Sequence, residues 1–88
     1  MSAAHDYAER LRARLPRCLQ EEREAAGLSR YALEKKCGVS REMIGCIESG
    51  DSIPTFHLGA RLAHGLGMRL WEFLRRLEDG AEKRRGGD

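Results

Sequence analysis

Two short segments, one directly after the other, are punctuated in the same way. In Leu28-Ser29-Arg30-Tyr31-Ala32-Leu33-Glu34-Lys35-Lys36-Cys37-Gly38, a serine stands where a helix N-cap belongs and a glycine where the chain leaves the helix. Leu28 and Leu33 flank the cap as a hydrophobic staple. Val39-Ser40 repeats the device: Ser40 caps, Val39 and Ile44 staple, and Gly50 closes the helix. The pattern predicts two short helices joined by a turn of about three residues that contains a glycine.

The flanking sequence extends this to an all-helical chain. Leu, Ala, Arg and Glu dominate, and the β-branched residues are few, being Val39, Thr55, Ile44, Ile47 and Ile53, so no strand can be placed. Asp6 and Glu9 have the spacing of a capping box and predict a first helix starting there, with Ala8, Leu11 and Leu15 as a narrow apolar stripe. Pro16 predicts a break or bend, after which Cys18, Leu19, Glu22, Arg23 and Ala26 run as a helix of about three turns to Gly27. Asp51-Ser52-Ile53-Pro54 reads as a turn, and Thr55 caps a fourth helix. Phe56, Leu58, Ala60, Leu62, Ala63 and Leu66 give that helix a broad apolar face, while Gly59 and Gly65 weaken it by about 1 kcal/mol each relative to alanine. A fifth helix follows Gly67, with Leu70, Trp71, Phe73, Leu74 and Leu77 on one side. From Asp79 to Asp88, including Lys83-Arg84-Arg85, apolar partners are lacking and a frayed or disordered tail is expected.

Composition removes several function classes. A chain of 88 residues supports one core, buries only about 60 to 65% of its unfolded surface, and so has a reason to dimerise. No apolar run approaches the roughly 20 residues of a membrane span, and the charged N-terminus is no secretory signal, so a cytoplasmic location is expected. Cys18, Cys37 and Cys46 form no metal-ligand spacing and no disulfide framework, so neither metal nor cofactor is expected. His5, His57 and His64 have no nucleophile or carboxylate at a motif spacing, which leaves an enzyme with little support. A net charge of +2 is too small to indicate a nucleic-acid partner by itself; any such function must rest on local placement.

The two capped helices form a helix-turn-helix connection. Together, Gly27-Leu28-Ser29, Leu33, Gly38-Val39-Ser40, Ile44, Ile47-Glu48-Ser49-Gly50, Pro54, Leu62-Ala63 and Leu66-Gly67 resemble the Cro and phage-repressor type of DNA-binding domain, the xenobiotic-response-element family. The resemblance covers roughly residues 15 to 75. It implies a compact five-helix, repressor-like domain over residues 15–78, with an extra N-terminal helical segment at 1–14 and a charged tail at 79–88. It further implies a transcriptional regulator, a repressor or autoregulator, that binds a palindromic operator in double-stranded DNA as a homodimer, with half-sites about 34 Å apart.

Ile44 and Ile47 must face inward, so at about 100° per residue the outer face of the third helix is centred on Glu42, Cys46 and Ser49 and flanked by Arg41 and Gly45. In the resembled family this face reads bases, which makes Arg41, Glu42, Gly45 and Cys46 the candidate base contacts. Arginine suits guanine and glutamate suits the cytosine amino group; alternatively, Arg41 and Glu42 are an exposed pair in which Glu42 only answers the helix dipole. Ser29, Arg30, Ser40 and Ser49 are candidates for phosphate. Arg61, His57 and the Lys83-Arg84-Arg85 cluster read more simply as solvated charge. The resemblance also implies a partly buried ion pair between Arg23 and Glu48 that sets the projection of the reading helix.

Three positions depart from the family pattern: Glu34 replaces a small residue, Gly59 a leucine, and Cys46 a longer polar side chain. Glu34 either reaches solvent between slightly splayed helices or pairs with Arg30, four residues back. An alternative function keeps the fold and uses Leu70, Trp71, Phe73 and Leu74 to bind a protein partner, as an antitoxin or accessory subunit would, with little DNA binding. The same four residues are the candidate homodimer interface; the competing reading has Trp71 closing the monomer core. A redox switch at Cys46 finds no strong support in its neighbours.

Overall fold

Side chains in the sequence start every helix of the structure, a computed structural model that describes residues 2–85, with side chains to residue 82. Among the described residues there are five helices and no strand: α1 (Ala3–Ala25), α2 (Arg30–Cys37), α3 (Arg41–Glu48), α4 (Phe56–Gly65) and α5 (Leu70–Arg85). Ser2, Ser29, Ser40 and Thr55 cap the first four, each accepting from the backbone N–H three residues on at 3.0–3.1 Å. At α5 the Glu72 carboxylate reaches back to the Arg69 N–H at 2.8 Å. Between α2 and α3, Gly38 takes φ 74°, a left-handed conformation costly for other residues, and its N–H reaches the Glu34 carbonyl at 2.8 Å.

Two sequence expectations are corrected at the ends. The first helix starts at Ala3 under a Ser2 cap, not at Asp6, and it is not broken at Pro16. Proline costs the helix one hydrogen bond, but Leu11 and Leu15 pack on the core before it, and Cys18 and Leu19 are buried after it. Both flanks are thus held by tertiary burial, and helix α1 runs straight through the boundary expected at residue 14. The tail expected from residue 79 instead continues α5 to Arg85, with Ala81 buried. The opposing ends cover each other: the Tyr7 hydroxyl donates to Glu78, and Arg10 donates to Glu82 at 3.4 Å. The side chains of Lys83, Arg84 and Arg85, and residues 86–88, lie outside the described residues.

The core gathers Cys18 and Leu19 of α1, Leu33 and Cys37 of α2, Val39, Ile44 and Ile47, Leu62 and Ala63 of α4, and Phe73 and Leu77 of α5. Both staples are built as the sequence implied, with Val39 and Ile44 buried and Leu28 packed on the cluster. Gly65 has a packing reason: a Cβ there would stand 2.8 Å from Cys37 Cβ and 2.9 Å from Leu33 Cδ1, so its absence lets α4 close on α2. A Cβ on Gly59 would meet nothing within 4 Å.

Candidate nucleic-acid interface

Helix α3 is fixed by its two isoleucines and by one carboxylate. Ile44 and Ile47 are fully buried, so Arg41 and Glu42 stand out to solvent while Gly45 and Cys46 are half-buried beside them. Beneath, the Glu48 side chain is only 1% exposed. Arg23 holds both its oxygens, Nε to Oε2 at 2.7 Å and Nη2 to Oε1 at 3.0 Å, a bidentate pair joining α1 to α3. A third arm of the same guanidinium donates to the Leu28 carbonyl at 2.8 Å, tying in the start of α2. Burial pushes the Glu48 carboxyl up, but hydrogen bonds and charge from Arg23 and Arg30 outweigh it, and the net shift is below the usual carboxylate value. Arg23 is raised in turn, chiefly by its hydrogen bond to Glu48.

Arg30 makes the clamp tripartite. Its Nε and Nη2 reach Glu48 Oε1 at 3.1 and 3.0 Å, while about half of its side chain remains exposed. It lies across Gly45, where an added Cβ would come within 3.3 Å of Arg30 Nη1. The expected partner of Glu34 is therefore corrected: Arg30 turns to Glu48, and Glu34 turns to Arg41. The Glu34 carboxylate accepts from the Arg41 backbone N–H at 3.3 Å and lies 3.4 Å from Arg41 Nε. It thus adds to the cap of α3 from a position where the family pattern has a small residue.

Tyr31 gives the outer surface a feature that sequence reasoning passed over. The Arg41 guanidinium lies 4.7 Å from the Tyr31 ring centroid, and the Lys35 ammonium lies 5.0 Å from it. The i, i+4 spacing of Tyr31 and Lys35 was the available signal. Arg61 is also more than solvated charge, because its Nε caps the Cys37 carbonyl at the end of α2 at 3.0 Å. His57 is exposed.

The expected phosphate contacts divide. The hydroxyls of Ser29 and Ser40 accept from the Ala32 and Met43 N–H groups, which leaves each its own proton to donate outward. Ser49 is corrected: its hydroxyl lies 3.0 Å from both the Cys46 carbonyl and the Asp51 carboxylate, so its proton is used internally beside a negative charge.

The expected interface on α5 also divides. Phe73 is 6% exposed and belongs to the core, which removes it from any docking surface, and Leu70 packs partly against the core. Trp71 is 59% and Leu74 47% exposed, so it is Phe73, and not Trp71, that closes the monomer. The cysteines are all free thiols, with Cys18 and Cys37 buried. Among the described residues no group of three or more potential ligands surrounds a metal position, and no described helix is long and apolar enough to cross a membrane.

A family model described as helix-turn-helix matches residues 19–72, from the middle of α1 into the first turn of α5. No curated protein matches the chain, and no solved structure does.

Proposed function

Because the chain belongs to the helix-turn-helix family of Cro and xenobiotic-response-element type, a family of DNA-binding regulators, we propose that α3 reads base edges in the major groove of an operator. The observation that carries the reading is the placement of Arg41. It stands at the solvent-facing start of a helix whose other face and far end are locked into the core by Ile44, Ile47 and Glu48. Tyr31 and Glu34 hold its guanidinium at that start, so less side-chain freedom is lost when it donates a bidentate pair to guanine. Glu42 accepts from a cytosine amino group on the neighbouring pair, Cys46 leaves room for a thymine methyl group, and Gly45, whose missing side chain seats the Arg30 guanidinium, lets the helix backbone approach the bases. Ser29 and Ser40 donate to phosphates on either side, with Arg30 adding its exposed positive charge.

The operator is palindromic because the reader is a homodimer. Trp71 and Leu74, one turn apart on the exposed side of α5, supply the isologous contact in place of the wider set that included Phe73. The dimer acts as a repressor or autoregulator by occupying its site against competing proteins.

Selection of random duplexes by purified protein tests this, followed by titration of the enriched site. An inverted repeat with half-sites about one helical turn apart, weakened by about 1 to 3 kcal/mol in Arg41→Ala, is expected. Trp71→Glu is expected to leave the fold intact, shift the sedimentation profile to monomer and weaken the operator complex. Weak, salt-sensitive binding with no enriched sequence would remove DNA reading, and the exposed Trp71 and Leu74 would then point to a protein partner.

A further inference from the structure

A cleft of about 620 Å³ opens on the far side of the Glu48 clamp, lined by Arg10, Ala13, Arg14, Pro16, Arg17, Gln20, Glu48 and Ala81. Arg10, Arg14 and Arg17 fall on one face of α1 by their i, i+4, i+7 spacing. The lining carboxylate, Glu48, is already committed to Arg23 and Arg30. Glu82 and Glu21 offset Arg10 and Arg14, so the cleft keeps a net positive charge through Arg17 in a chain of nearly balanced charge.

Three donor atoms of its arginines lack acceptors among the described residues. Glu82 takes the Nη2 of Arg10 at 3.4 Å, and Glu21 takes the Nη2 of Arg14 at 2.7 Å. Arg10 Nε and Arg14 Nε and Nη1 are buried with no hydrogen-bond partner among the described residues. Buried donors without acceptors are rare in folded proteins, and three on two adjacent guanidinium groups call for a ligand. Gly80 lets Arg14 pack this deeply, since a Cβ there would come within 2.6 Å of Arg14 Nε.

We propose that this cleft binds the phosphoryl group of a small phosphomonoester, whose oxygens take the donors of Arg10, Arg14 and Arg17. A small turn of the two inner guanidinium groups brings their shielded N–H groups onto the anion, a fork geometry matched to phosphate oxygens. The volume falls within the roughly 300–1,000 Å³ of small-molecule sites and far exceeds a bare phosphate. The organic remainder lies against Ala13, Pro16 and Ala81, with the Gln20 amide beside it. This site is independent of the DNA-reading face, although a DNA backbone offers the same oxyanion chemistry.

The test is calorimetric titration with inorganic pyrophosphate, without DNA, against sodium chloride of matched ionic strength. Saturable 1:1 binding is expected, weakened about tenfold or more in Arg17→Gln and in Arg14→Gln and unchanged in Lys35→Gln. Arg17 is exposed, so its variant keeps the fold even if Arg14→Gln does not, and thermal unfolding followed by circular dichroism checks both. A second arm adds a duplex of random sequence, which is expected not to displace pyrophosphate and to bind Arg17→Gln as it binds the parent. No saturation above the chloride control, or equal binding by Arg17→Gln, overturns the site. Displacement by duplex, with weaker duplex binding by Arg17→Gln, overturns the small-molecule occupant in favour of the DNA backbone.

Discussion

Replacing Arg23 by methionine keeps most of the packing volume and removes three hydrogen bonds, two of them to a carboxylate that is 1% exposed. Arg30 still holds Glu48 Oε1, so the stranded charge keeps one partner: Oε1 loses one of its donors, and Oε2 loses the one it had from Arg23. Breaking one side of a buried pair costs about 3 to 5 kcal/mol, and the lost bond to Leu28 falls within that range. A domain of this size is stable by roughly 4 to 13 kcal/mol in all, so Arg23→Met is expected to remove between a quarter and all of that margin. Urea denaturation followed by circular dichroism gives the number. The companion variant, Arg23→Met with Glu48→Leu, removes both charges together and is expected to be more stable than the sum of the single effects by at least about 1.5 kcal/mol. A single-variant loss below about 1 kcal/mol, or simple additivity, would refute the argument that this clamp fixes α3.

Acid should act through the same carboxyl. The folded value of Glu48 lies below its unfolded value of about 4.3, so its contribution is fully present above that value and is lost as pH falls through the folded one. Glu48→Gln should therefore flatten the acid limb of stability measured by urea midpoint from pH 7 to 2.5. The two glycines of α4 are expected to respond with opposite signs: Gly59→Ala gains about 0.5 to 1 kcal/mol, whereas Gly65→Ala loses about 1 to 3 kcal/mol by pressing on Cys37 and Leu33, both read from thermal unfolding. Burial pushes the Cys18 thiol up to about 11, so with a thiol reagent at pH 8 the half-buried Cys46 should react first and Cys18 only on unfolding. Fast modification of Cys18 in the native protein would contradict its placement.

What sequence conveyed best was local. Serine and glycine at helix ends act within one turn of chain, which is why Ser29, Gly38, Ser40 and Thr55 placed α2, α3 and α4 correctly. Pro16 misled because its cost is local while its compensation, the burial of Leu15, Cys18 and Leu19, comes from helices distant in sequence. The end of α5 was missed for the same reason: Ala81 and Gly80 look uninformative until Tyr7, Arg10 and Arg14 of α1 lie across them. Periodicity put Ile44 and Ile47 inside and Arg41 outside. It could not say which carboxylate each arginine finds, because Glu34 and Glu48 compete for Arg30 and Arg41 through long, rotatable side chains. Phe73 and Trp71 share one apolar stripe in the sequence, and only the rotation of α5 against the core separates them.

A contact between Arg41 and a base in the major groove is tested most directly by single-atom changes in the selected operator. Guanines of each half-site are replaced one at a time by 7-deazaguanine, which lacks the N7 acceptor, and the affinities of parent and Arg41→Ala are compared. One position per half-site is expected where the replacement weakens the parent complex by roughly half of the 1 to 3 kcal/mol of the full bidentate pair, since O6 remains, and leaves the Arg41→Ala complex unchanged. Equal losses in both proteins at every guanine, or no loss at all, would contradict that contact.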